Sequence, residues 1–135
     1  MDGLSLTASL IAVIQITGSC LKLSRKWLGP SEFDTSDLTA MTTTLYEFNG
    51  VMKMFQTYLE IHEDDEARLS NLEYLRPALR RCEEVLNIIK DFMERSGFVG
   101  KHLVGPRFDR KLKTALKALD GAKELFMLAL HADQQ

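Results

Sequence analysis

The chain has 135 residues, 45% hydrophobic and 27% charged, which is the size and composition of one globular domain. Such a chain buries roughly two-thirds of its unfolded surface without help from a metal or a disulfide. A net charge of −2 excludes a nucleic-acid binder by composition, and two cysteines are too few for a disulfide framework. Cys20 and Cys82 both fall on apolar positions of helical patterns, so they read as buried thiols in a reducing compartment.

The first element is a helix over about 4–28. Leu6, Leu10, Val13, Ile14, Cys20, Leu21, Trp27 and Leu28 share one side at helical spacing. Ser5, Ser9, Gln15, Ser19, Lys22 and Lys26 share the other, and no charge falls between Leu4 and Ile16. This helix suits a protein core, yet it can also enter lipid without burying an ionised group. Asp2 argues against a signal peptide, which needs a positive start, and against myristoylation, which needs Gly there. Hydroxyl and amide side chains interrupt the run, which argues against a permanent span.

Gly29 and Pro30 stop the helix, and Ser31, Asp34 or Ser36 can cap the next. Leu38, Met41, Leu45, Phe48, Met52, Phe55 and Leu59 then form a strict heptad, so the second helix covers about 34–61. Gly50 inside it costs about 1 kcal/mol against Ala and marks a candidate close approach of a neighbouring helix. The acids from Glu63 to Glu66 read as a solvated turn leading into an acid-rich helix start. Leu72, Leu75, Leu79, Cys82, Leu86, Ile89 and Met93 form a second heptad over 67–95. Pro77 lies inside it, either kinking one helix or opening a new one at its first turn, and the unbroken heptad favours one kinked helix.

Residues 96–106, SGFVGKHLVGP, lack periodicity and are expected to plug one end of the fold with Phe98, Val99, Leu103 and Val104. The last helix covers about 107–132, with alternating large and small core residues Phe108, Leu112, Ala115, Leu119, Ala122, Phe126 and Ala129. The tail from His131 to Gln135 has no pattern. With no strand-like alternation, the expected fold is all-α, a four-to-five-helix bundle forming a single domain over residues 1–135.

Catalytic and metal signatures are absent. His62, His102 and His131 are scattered, and no His-Glu-x-x-His, Cys-x-x-Cys or Gly-x-Ser-x-Gly occurs. The expectation is a non-enzymatic protein without cofactor or metal. Charge is sorted along the chain, with acids at 60–66 and a basic pole at 95–117. Lys101, Arg107, Arg110, Lys111 and Lys113 are candidates for an anionic lipid surface, where each cation contributes about 1 kcal/mol. A solvated helix face is the plainer reading of the same residues.

The opening MDGLSLTASLIAVIQITGSCLKL, together with LRPALRRCEEVLNIIKDF and the stretch RFDRKL in the last helix, resembles a known family. It is similar to the HeLo-like N-terminal domain of fungal STAND-type proteins, the NACHT or ankyrin-repeat intracellular receptors. The domain type is also named after azaphilone pigment cluster protein L. The resemblance spans nearly the whole chain, although family members often carry Pro at the position of Gly3 and a longer turn than 29–34. It implies a helical effector or signalling domain of regulated cell death, of the kind behind heterokaryon incompatibility and fungal innate immunity. Its partners would be further copies of itself, an anionic membrane, and a downstream NACHT or repeat domain. The implied site is cytoplasmic at rest and the plasma membrane on activation. Carried over by position, the membrane-inserting helix is Leu4 to Ile16, with Leu4, Leu6, Leu10, Ile11, Val13, Ile14 and Ile16 as its insertion residues. The alternative is a protein–protein interaction module, an adaptor or oligomerisation bundle with no membrane activity.

Overall fold

A computed structural model describes residues 2–28, 36–96 and 106–133. Four long helices dominate: α1 (Asp2–Leu28), α2 (Ser36–Ile61), α4 (Arg76–Ser96) and α5 (Pro106–Asp133). A short α3 (Glu66–Asn71) and a 3-10 turn (Glu73–Leu75) join α2 to α4. No strand occurs among the described residues, and the fold is an all-α bundle. The connection at 97–105, expected to plug one end, lies outside the described residues.

Heptad periodicity accounts for the long helices. Met41, Leu45, Phe48, Met52, Phe55 and Leu59 of α2 are all buried, as are Leu79, Cys82, Leu86, Ile89 and Met93 of α4. Pro106 opens α5, where a missing N–H costs nothing. Of the expected α5 stripe, Leu112, Ala115, Leu119, Phe126 and Ala129 are buried, while Ala122 is partly so. Gly50 does not mark a close helix approach: it is exposed, with open space where a Cβ would sit.

The chain around Pro77 breaks where one kinked helix was expected. Pro77 has no N–H to give Glu73 its α-helical partner, and the Arg76 N–H bonds the Glu73 carbonyl instead. Leu72 and Leu75 also donate three residues back, to Leu69 and Leu72 at 3.1 and 3.0 Å. The chain therefore tightens into a 3-10 turn, and α4 starts with Pro in its first turn. Leu72 and Leu75 stay buried, because threefold winding keeps the heptad phase across the break. Before it, Asp65 caps α3 by accepting from the Arg68 N–H at 3.1 Å. That backbone bond, then the Arg68 guanidinium at 3.2 Å, holds the Asp65 carboxyl below its usual range.

Around the bundle the order is α1, α2, α5, α4, with α1 touching both α2 and α4. Phe55 and Phe126 meet at 5.1 Å and a 54° tilt across the α2–α5 seam. The Cys20 thiol donates to the Leu86 carbonyl at 3.5 Å between α1 and α4. Arg25 of α1 bonds the Tyr46 hydroxyl and lies 5.4 Å from its ring centre, tying α1 to α2. Because α2 returns beside α1, the end of α2 lies near the start of α1, and α3 and the turn pack across α1 there. The first helix is thus enclosed on three sides.

Candidate functional site

Two features stand out: the apolar helix α1 and the charged outward face of α5. On α1 the buried stripe is Leu6, Leu10, Val13, Thr17, Cys20, Leu21 and Ser24. Apart from Leu21 beside it, this stripe keeps the heptad steps of three and four, so α1 meets its neighbours as the other long helices do. Thr17 and Ser24 are 0% exposed, although residue type alone assigns them to no apolar face. Their heptad phase was the signal that reading by residue type passed over.

Both hydroxyls are satisfied inside their own helix. Thr17 Oγ1 donates to the Val13 carbonyl at 2.7 Å and Ser24 Oγ to the Leu21 carbonyl at 2.9 Å. On the exposed side, Ser19 does the same with Gln15 at 3.2 Å. From Leu6 to Arg25, α1 is long and apolar enough to cross a membrane by length and composition, with Lys22 and Arg25 its charged residues.

The membrane-insertion candidates divide by burial. Leu6, Leu10 and Val13 are fully buried, Ile14 and Ile16 are partly buried against the same core, and Ile11 is 38% exposed. The Leu4 side chain lies outside the described residues. The resting bundle therefore holds Leu6, Leu10 and Val13 inside and leaves Ile11 on the outward stripe with Ala8, Gln15 and Lys22.

Among the basic candidates, Arg110, Lys111 and Lys113 are exposed on α5. Arg110, Lys113 and the further Lys117 follow i, i+3, i+7 and share the outward face. Lys111 is turned roughly 100° away from Arg110 around the helix. Arg107 lies in the first turn of α5, its side chain outside the described residues, and Lys101 lies outside them altogether. Asp120 and Glu124 continue the outward face beyond Lys117. Lys123 is turned inward by comparison and pairs with Glu47 of α2 at 3.4 Å.

Between α4 and α5 runs an apolar groove of about 190 Å³, lined by Ala78, Cys82, Val85, Ala118 and Ala122 among others. Small side chains on both helices leave this gap. Burial pushes the Cys82 thiol up to about 12, against a smaller opposite pull from Arg81, so it stays neutral and unreactive. Cys20 and Cys82 are both free and buried.

Comparison with protein-family models, with curated proteins and with solved structures finds no match for this chain.

Proposed function

We propose that this chain is a non-enzymatic effector or signalling domain that rests as a closed bundle and acts by self-association and membrane engagement through α1. The reading follows its resemblance to the HeLo-like domains of fungal STAND-type proteins. Resting protein would be cytoplasmic, and active protein would sit at the plasma membrane, with a downstream NACHT or repeat domain as a partner.

The observation that carries this reading is the internal closure of three hydroxyls on α1. Thr17, Ser19 and Ser24 all bond carbonyls of their own helix. They bring these bonds with them when the helix moves, so none is orphaned on leaving the bundle. Leu6, Leu10, Val13 and Leu21 exchange one apolar surrounding for another, since lipid tails are as apolar as a leucine core. Lys22 and Arg25 lie at one end of the apolar stretch, where their stems can reach a headgroup layer. Arg110, Lys111 and Lys113 supply exposed cations for an anionic leaflet.

Dye release from neutral and anionic vesicles, with monomer and oligomer separated by size, tests the reading. Release that needs anionic lipid and the oligomer supports it. No binding and no release in either state would replace it with the protein-interaction module. One observation favours that second reading: Leu6, Leu10 and Val13 are at 0% exposure, the burial expected of an ordinary core helix.

A further inference from the structure

The outward face of α5 has its charges sorted by sign. Arg110, Lys113 and Lys117 come first, Asp120 and Glu124 follow, and all five are exposed. One local rule runs against this order. Lys113 and Lys117 are like charges at i, i+4, as are Asp120 and Glu124, a spacing at which like charges destabilise a helix. A helix that only has to face water is better served by interleaved signs.

The bundle does little to relieve this. Among the described residues, no ion pair involves Lys113, Lys117 or Glu124. Among the described residues Asp120 pairs with Lys123 at 3.9 Å, and Lys123 lies closer to Glu47, at 3.4 Å. The face is complementary to itself when reversed. With a two-fold axis at the level between positions 118 and 119, Lys117 comes level with Asp120 of a second copy and Lys113 with Glu124. A single register satisfies both pairs.

Two further features fit that register. Gly121, near the axis, is exposed with open space where a Cβ would sit, which lets a second helix approach closely. Leu128, 66% exposed, falls beside Arg110 of the other copy, whose apolar stem can cover it.

We propose that the outward face of α5 is the contact through which two copies of this chain associate, α5 against α5 in antiparallel two-fold register. The proposal rests on the self-association in the proposed function and names its surface. One helix face against another buries little area, so the dimer is weak and concentration-dependent. Gathering the protein on a membrane would raise its occupancy.

Charge swapping tests it. Sedimentation equilibrium at low salt is run on the wild type, on Lys113→Glu/Lys117→Glu, on Asp120→Lys/Glu124→Lys, and on an equimolar mixture of the two variants. Circular dichroism first verifies that each is folded. The wild type is expected to dimerise, more weakly as salt screens the pairs. Each variant alone meets its own sign and associates at least about tenfold more weakly, while the mixture regains a one-to-one dimer. A mixture that stays monomeric, variants that dimerise like the wild type, or a wild type that never dimerises each overturns the proposal. Vesicle leakage measured on the same samples separates the two claims. Wild-type leakage with a monomeric mixture sinks the α5 contact and leaves membrane engagement standing; a restored dimer in the mixture with a wild type that dimerises but never leaks does the reverse.

Discussion

Replacing Ile11 with Lys separates the membrane role of α1 from its structural one. Most residues of the insertion face cannot do this, because Leu6, Leu10 and Val13 are fully buried and their loss would unfold the bundle before any lipid was met. Ile11 is 38% exposed, so the burial at stake is roughly 1–2 kcal/mol, part of which the lysine stem recovers. For a domain of this size, about 1 kcal/mol lowers Tm by roughly 4 °C. In lipid the same change replaces a favourable side chain with an ionised one, about a quarter of the way along the stretch from Leu6 to Arg25. A charge at the centre of a span costs about 3 kcal/mol on insertion scales, on the order of a hundredfold in partition, and this off-centre position carries part of that cost, less whatever snorkelling recovers. The expected result is a folded protein with a Tm within a few degrees of wild type, and vesicle leakage lowered by tens of fold. Leakage at the wild-type level in folded Ile11→Lys would refute entry of this part of α1 into lipid.

Three further outcomes follow from the packing and the titrating groups. Phe126→Ala removes a 0%-exposed ring whose centre lies 5.1 Å from that of Phe55, and is expected to cost about 3–5 kcal/mol in urea unfolding. The Cys82 thiol is raised from an ordinary 9.0 to about 12 by burial, so below pH 9 it is neutral in both folded and unfolded chains. Between pH 9 and 12 the unfolded chain loses the proton and the native one keeps it; stability falls through that window, and because burial raises the Cys20 thiol in the same way, Cys82→Ala reduces the fall in a series of thermal melts and leaves the Cys20 share. Asp65 is depressed below its ordinary 3.8, so its contribution is present above that value and disappears as pH falls through the lowered one. Asp65→Asn keeps a capping oxygen and loses this pH dependence, whereas Asp65→Ala also speeds amide exchange at Arg68, which loses its acceptor.

The helical class, the four long helices and most of the core were legible from periodicity. A residue at steps of three and four must face one side of a helix, and an apolar side must be covered. Met41 to Leu59 on α2 and Leu79 to Met93 on α4 are buried on that rule alone. The apolar character of α1 and the sorted charges of α5 are equally properties of composition and order.

Three matters depended on the tertiary structure. The break at Pro77, one of two readings open at that position, was not chosen by periodicity because burial phase survives a 3-10 turn, so an unbroken heptad does not require an unbroken helix. Thr17 and Ser24 lie in the core because their hydroxyls are satisfied within α1, which residue polarity does not reveal. The arrangement of α1 between α2 and α4, with α3 across its start, arises from how four apolar stripes close on one another. Periodicity sets which side of each helix must be covered, but only packing chooses the helix that covers it. That choice puts Leu6, Leu10 and Val13 inside the resting protein and turns the outward face of α5 toward solvent.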